Sequence, residues 1–167
     1  MSRFDPYGII DTLKRHDVEY IIVGGFAGNL LGSDMVTHDI DVCYRRTPEN
    51  LKKLAVALKE LGAQLRGAPP GLPFILDDQT LRNGDCFTFE TIGGAFDCLG
   101  TPAGTKGYDD LYVSSTVVDI GDGRLVRVCS LADLIRMKTT AGRTKDKLGL
   151  EQLYALKKLI ESGAGNS

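Results

Sequence analysis

The sequence predicts a single α+β domain in which helices flank a mixed β-sheet and two helices close the chain. Three observations support this. Short apolar runs alternate with segments whose apolar residues recur every three or four positions. Two glycine turns, Gly93-Gly94 and Gly121-Asp122-Gly123, each separate two strand-like runs, as in hairpins. The 167 residues, 43% of them hydrophobic, suffice for one domain with a core. We assign residues 1–162 to this domain and 163–167 to a disordered tail.

The first part of the chain predicts a helix–strand–helix–strand unit. Asp5-Pro6 is typical of an N-cap followed by the first helical position, which starts a helix that runs to about His16. Tyr20 to Val23 is a short apolar run and predicts a buried strand. Gly24 to Leu31 follows at helical spacing. Asp39 to Arg45 then predicts a second strand.

The middle of the chain continues with a helix and a hairpin. Thr47-Pro48 caps a helix that runs to Leu61, and its apolar residues repeat at three and four. A Gly-Pro loop covers Gly67 to Gly71, and Asp77 to Arg82 predicts one helical turn. Cys86 to Ile92 alternates as a strand should and turns back into a second strand, Ala95 to Leu99.

The last part predicts a further hairpin and the two closing helices. Tyr108 to Tyr112 predicts a helical turn, and the hairpin pairs Ser115–Ile120 with Leu125–Cys129. Ser130 caps a helix that ends at Ala141 before Gly142. Thr144 starts the last helix. Its candidate buried positions are Leu148, Leu153, Leu156, Leu159 and Ile160.

The cysteines and the hydropathy limit the classes of protein. Cys43, Cys86, Cys98 and Cys129 form no CxxC pair, so we expect buried reduced thiols rather than a zinc site. No apolar stretch reaches ~18 residues, and the N-terminus lacks the apolar segment of a signal peptide. We therefore expect a cytoplasmic protein with no membrane span.

The charge is unevenly distributed along the chain. Residues 124–158 carry nine Lys/Arg against three Asp/Glu, whereas the remainder carries eleven against nineteen. One interpretation is an acidic centre facing a basic rim that attracts phosphates. The alternative is a solvated basic helix face.

Carboxylates are the strongest candidates for chemistry. Asp39 and Asp41 lie two apart on a predicted strand, so both point to one face, where they repel each other unless a cation lies between them. Oxygen ligands without His or Cys suit Mg²⁺ or Mn²⁺. Asp97, in an apolar setting, would complete a two-metal site if its strand lies alongside. The alternatives are incidental surface acids, an Asp97–arginine ion pair, or Glu90 as the third acid.

Phosphate binding has its own candidates. Gly24-Gly25 lies between a strand and a helix, where backbone amides can approach a phosphate, although a glycine pair also serves simply as a turn. Lys138 and Arg143 flank the end of the Ser130 helix. They would either neutralise a triphosphate or simply favour that helix C-terminus. Asp146 lies in the first turn of the last helix.

With these residues in place, the sequence resembles the nucleotidyltransferase superfamily of DNA polymerase beta-like fold, and most closely its AbiEii/MenT-type toxin branch. The resemblance covers residues 20 to about 155. Its segments, in order, are Gly24-Gly25-Phe26-Ala27, Thr37-His38-Asp39-Ile40-Asp41, Phe96-Asp97-Cys98-Leu99-Gly100, Leu131 to Lys138, and Ala141 to Asp146.

The resemblance implies Mg²⁺-dependent transfer of a nucleoside monophosphate from an NTP to an acceptor hydroxyl. It implies that Gly24 and Gly25 hold the triphosphate and that Asp39 and Asp41 bind both metals. Asp97 would bind the catalytic metal and help deprotonate the acceptor.

The same resemblance assigns the remaining roles and the partners. Lys138 would contact the phosphates, and Asp146 matches a late acid of the toxin branch. The implied acceptor is the 3′ end of tRNA, and the implied partner is a cognate antitoxin. The alternatives are a small-molecule (antibiotic-type) nucleotidyltransferase and a catalytically silent nucleotide-binding protein.

The chain departs from the family pattern at two positions. Phe26 follows the glycine pair where many relatives carry Ser. Met35 stands where many relatives carry an arginine two residues before the motif threonine, which weakens the transfer of a triphosphate-binding arginine to this chain.

Overall fold

The structure is a computed structural model that describes residues 3–69, 71–142 and 144–163. Five predictions fall partly or wholly outside it. They concern Pro70 of the predicted loop, Arg143, the side chains of Asp146 and Leu148, and residues 164–167 of the tail.

The described chain is an α+β fold built on one mixed sheet, as the sequence predicts. Its elements, in chain order, are α1 (Pro6–Arg15), β1 (Tyr20–Val23), α2 (Gly24–Leu30), β2 (Asp39–Tyr44), α3 (Pro48–Glu60), β3 (Gln64–Leu65), α4 (Asp78–Asn83), β4 (Cys86–Thr91), β5 (Gly94–Leu99), α5 (Tyr108–Tyr112), β6 (Thr116–Asp119), β7 (Leu125–Val128), α6 (Leu131–Ala141) and α7 (Thr144–Glu161).

The predicted helix caps form as the sequence indicates. The Asp5 side chain accepts a hydrogen bond from the Gly8 N–H (3.0 Å), and Ser130 accepts one from the Asp133 N–H (3.0 Å). Each satisfies a backbone donor that the first helical turn leaves without a partner. Gly142 ends α6 in the left-handed conformation, with φ +64°.

The order of strands in the sheet is β3-β4-β5-β2-β1-β7-β6. Both predicted hairpins form, as β4–β5 and β6–β7. β2 pairs with β5, and β1 with β7, in parallel; the other neighbours are antiparallel. Because β2 and β5 run side by side, the Asp pair on β2 meets residues that follow more than fifty positions later.

A large part of the core lies under one face of the sheet. Ile40, Val42 and Tyr44 of β2 are fully buried, as are Phe89 of β4 and Phe96 of β5. The alternation predicted for β4 is confirmed, since Phe87 and Phe89 point inward while Thr88 and Glu90 point outward. On the opposite face β2 carries Asp39 and Asp41 beside the buried Cys43, and β4 carries Thr88 and Glu90.

Three details differ from the sequence prediction. β3 is an additional strand, and with only two residues it carries no alternation to reveal it. Leu159 and Ile160 are half-exposed, whereas Leu153 is buried. Cys86 is exposed because it faces outward on β4, whereas the other three cysteines, Cys43, Cys98 and Cys129, are buried.

None of the helices in the described ranges combines the length and the low polarity that crossing a membrane requires.

Candidate active site

Three carboxylates meet on the polar face of the sheet. In the parallel β2–β5 pair, Asp41 stands opposite Asp97, and Asp39 lies two residues back on the same face of β2. One oxygen from each of these three side chains lies within 4.8 Å of the other two. The structure thus brings together the acids that the sequence proposed to share a site.

Gly24 allows the β1–α2 turn to lie directly against this cluster. Its φ is +71°, and a Cβ built on it would collide with the Asp41 carboxylate at Oδ2. A side chain would therefore incur both backbone strain and a steric clash. Gly25 is also close to its surroundings, because its Cβ would lie 3.1 Å from the Thr37 hydroxyl oxygen.

Thr37 connects the glycine turn to the acids. Its hydroxyl lies 3.1 Å from the Asp39 carbonyl oxygen and 3.3 Å from Asp39 Oδ1, and both oxygens accept from it. This contact orients the Asp39 carboxylate at the start of β2. The loop before β2 and the glycine turn before α2 therefore enclose the acids from two sides.

The cluster suits a hard divalent cation. Its three ligands are carboxylate oxygens, which Mg²⁺ and Mn²⁺ prefer. All three side chains are half-buried, so their mutual repulsion is screened less than on an open surface. A bound cation would relieve that repulsion, and the space left by the absent Gly24 side chain keeps the approach to Asp41 open.

A cleft of about 730 Å³ is lined by Asp39 and Asp41, and by Arg66, which contacts Asp97. Gly24, Gly25 and the three residues before β2 line this cleft. Leu134, Met137 and Lys138 of α6 also line it. Met35 lines the cleft as well. Both Met35 and the Lys138 ammonium group lie beside Gly149 of α7, within 4 Å of a Cβ built there.

Arg66 is a cleft residue that the sequence prediction missed. It follows β3, and its Nη2 donates to Asp97 Oδ1 at 2.7 Å. Its Nε lies 3.8 Å from Glu90 Oε2. The alternative in which Asp97 pairs with an arginine is therefore realised together with the carboxylate cluster, rather than instead of it.

Glu90 does not replace Asp97 as the third acid. It faces the same side of the sheet, but it stands opposite Ala95, and its side chain is 49% exposed. Among the described residues, the group of acids close enough to share a metal comprises Asp39, Asp41 and Asp97.

Cys86 also lines the cleft, and its thiol is held in the neutral form. Although the Cys86 side chain is exposed, partial desolvation, followed by the charges of Asp97, Asp85 and Asp41, raises the pKa of this thiol above its ordinary value of 9.0. Because the thiolate is the nucleophile, a raised pKa argues against a catalytic role for Cys86.

A family model described as Aminoglycoside-2''-adenylyltransferase matches residues 7–147. No curated protein is significantly similar in sequence.

Several solved structures have the same fold. The antibiotic-resistance factor ANT(2'')-Ia, in a solution structure, has a TM-score of 0.55 and 19% identity, covering 96% of this chain and 91% of that one. The lincosamide antibiotic adenylyltransferase LnuA, bound to lincomycin, has a TM-score of 0.60 and 12% identity, covering 90% and 95%. A putative nucleotidyltransferase from Thermotoga maritima has a TM-score of 0.51 and 18% identity, covering 96% and 97%. At these identities the likeness shows the fold.

Proposed function

The chain belongs to the aminoglycoside-2''-adenylyltransferase family and is a nucleotidyltransferase, and we propose that it transfers the adenylyl group of ATP to a hydroxyl of a small antibiotic-type molecule. The observation that carries this proposal is the cluster of Asp39, Asp41 and Asp97, of which the first two line the cleft. We place the reaction in the cytoplasm, where ATP is available, and in one domain spanning residues 1–162.

The proposed reaction is an in-line displacement at the α-phosphorus of ATP. The acceptor hydroxyl oxygen forms the new bond to phosphorus, the bond from the α-phosphorus to the bridging oxygen breaks, and pyrophosphate leaves. The hydroxyl proton passes to Asp97, which lies on β5 beside the other two acids. Asp39 and Asp41 would hold divalent cations, Mg²⁺ or Mn²⁺, with Asp97. Bound cations would neutralise charge that develops on the phosphoryl oxygens.

In this proposal, residues of two elements that line the cleft bind the triphosphate. Gly24 and Gly25 offer backbone amides to the triphosphate, since no side chain blocks their approach. Lys138, on α6, contacts the phosphates as a point charge. The role of Arg143 as a second phosphate-binding cation remains a prediction. So does the role of Asp146 as an acid late in the chain.

The acceptor in this proposal differs from the one that the sequence resemblance implies. The antibiotic adenylyltransferases favour a small-molecule acceptor over the 3′ end of tRNA. They give the AbiEii/MenT-type branch and its antitoxin partner no support. A silent nucleotide-binding protein is disfavoured because the three acids are present and brought together.

The test is a transfer assay with alternative acceptors. Purified protein is incubated with each α-labelled NTP, Mg²⁺ and, separately, tobramycin, lincomycin or total tRNA, beside an Asp39→Asn control. Label from ATP on an antibiotic, at a mass increase of one AMP residue, is the expected result. Label on tRNA alone would overturn the proposed acceptor. Transfer to none of these, or equal transfer by Asp39→Asn, would overturn the proposed activity.

A further inference from the structure

Arg66 is anchored to the sheet independently of the acids. It follows the two-residue strand β3, and its backbone N–H donates to the Thr88 carbonyl at 2.9 Å. Its Nη2 donates to the Phe89 carbonyl at 2.8 Å. Both carbonyls belong to β4, so the main chain and the guanidinium group are fixed to the same strand.

From this position Arg66 holds one oxygen of Asp97. The same Nη2 donates to Asp97 Oδ1 at 2.7 Å, a short charge-assisted hydrogen bond. The Asp97 side chain is 16% exposed, and that of Arg66 is 35% exposed. The bond is therefore well shielded on the Asp97 side, while the second carboxylate oxygen takes no part in it.

We propose that Arg66 is a positioning residue that fixes Asp97 through Oδ1 and leaves its second oxygen for the cation site and the acceptor hydroxyl. This inference rests on the proposed function. This role accounts for the two-residue strand β3, because β3 places Arg66 at the rim of the cleft. It also explains why a guanidinium group lies among acids that would otherwise bind cations.

The proposal predicts two effects of opposite sign. Arg66 offsets negative charge at the cluster, so its removal strengthens the attraction for a divalent cation. Arg66 also restrains Asp97, so its removal lets the carboxylate rotate away from the reacting atoms and slows transfer. An ion pair that only stabilises the β3–β4 edge would not tighten cation binding.

Arg46 provides a matched control outside the cleft. Its Nη1 donates to Asp85 Oδ1 and to the Gly84 carbonyl, both at 2.9 Å. Its side chain is 35% exposed, the same fraction as that of Arg66. Arg46→Ala therefore removes a comparable ion pair and comparable carbonyl contacts without touching the three acids.

The experiment compares Arg66→Ala, Arg66→Lys, Arg46→Ala and the wild type. Mn²⁺ binding is measured without nucleotide, by electron paramagnetic resonance of free Mn²⁺, and adenylyl transfer is measured separately. Arg66→Ala should bind Mn²⁺ about three- to tenfold more tightly. Its kcat should fall at least about tenfold, with the KM for ATP within about twofold.

The other two variants complete the test. Arg66→Lys keeps the charge, so it should keep the wild-type Mn²⁺ affinity, and it should recover part of the lost kcat. Arg46→Ala should match the wild type in both measurements.

Several results would overturn the inference: unchanged or weaker Mn²⁺ binding by Arg66→Ala, a kcat within about twofold of the wild type, or the same pattern in Arg46→Ala. If the wild type transfers nothing to any acceptor, the proposed function fails, whereas the Mn²⁺ comparison still decides whether Arg66 offsets charge at the acidic cluster.

Discussion

The Asp39→Asn variant distinguishes a cation-binding carboxylate from a structural one, because stability and activity should change in opposite directions. The three clustered oxygens lie within 4.8 Å of one another. At that separation two unit charges repel by about 3.5 kcal/mol at an effective dielectric constant of about 20, and by about 0.9 kcal/mol in water. Asp39 is half-buried, and Arg66 offsets part of the charge on Asp97. We therefore expect the cation-free protein to gain about 1 kcal/mol of unfolding free energy.

The substitution keeps the local geometry while it removes the charge. The side-chain oxygen of Asn can still accept from the Thr37 hydroxyl, as Asp39 Oδ1 does. Without divalent cations, the Tm of the variant should therefore rise by about 2–4 °C. Added Mg²⁺ should raise the Tm of the wild type and leave that of the variant unchanged. Transfer should fall by roughly three orders of magnitude, because metal charge stabilisation contributes several kcal/mol.

The assay is thermal unfolding with and without Mg²⁺, beside the transfer assay. Asp34→Asn is the control, because Asp34 is an exposed acid in the loop before the same strand. A lower Tm for Asp39→Asn in the absence of cations would refute the reasoning, since the carboxylate would then be stabilising the fold. So would full transfer activity, or an equal Mg²⁺-dependent rise in the Tm of the variant.

Two further predictions concern the glycine turn and the cleft thiol. Gly24→Ala should lower the free energy of unfolding by about 1–2 kcal/mol and should reduce transfer by displacing Asp41. Gly67→Ala is the control, because Gly67 has a φ of +76° but nothing within 4 Å of an added Cβ. It should lower stability and leave transfer unchanged. Equal activities of the two variants would argue against the contact with Asp41. In the native protein, a thiol reagent should label Cys86 and leave the three buried cysteines unmodified. The labelling rate should still increase above pH 9, because the raised pKa of the thiol shifts thiolate formation to higher pH. Mg²⁺ with ATP should protect the thiol from labelling. A labelling rate that these ligands do not change would contradict the place of Cys86 in the cleft.

The sequence predicts those features that follow from local chemistry. Caps such as Asp5 and Ser130 form because they satisfy donors within one turn of the same helix. The alternation of β4 is visible because one face is apolar and the other polar. The shared face of Asp39 and Asp41 follows from their spacing on a strand.

Features that depend on distant parts of the chain are harder to predict. β3 has only two residues and is defined by its pairing with β4, so neither periodicity nor composition marks it. Arg66 owes its role to that strand, and its partner Asp97 lies 31 residues away in sequence. The apolar positions of α7 fit a helix, but whether each is buried depends on what lies beside it, and Leu159 and Ile160 remain half-exposed.

The pairing of Asp41 with Asp97 is a functional feature that local sequence rules do not predict. The spacing on each strand gives the face of each acid, but only the parallel β2–β5 register places the two opposite each other. Like charges directly opposite on neighbouring strands destabilise a sheet, and Gly24 adds a positive φ beside them. A fold selected for stability alone would not place these acids opposite each other. The side-chain-free turn at Gly24 and the repelling acids are therefore best explained together, as the two sides of a site that is completed when a cation and a triphosphate bind.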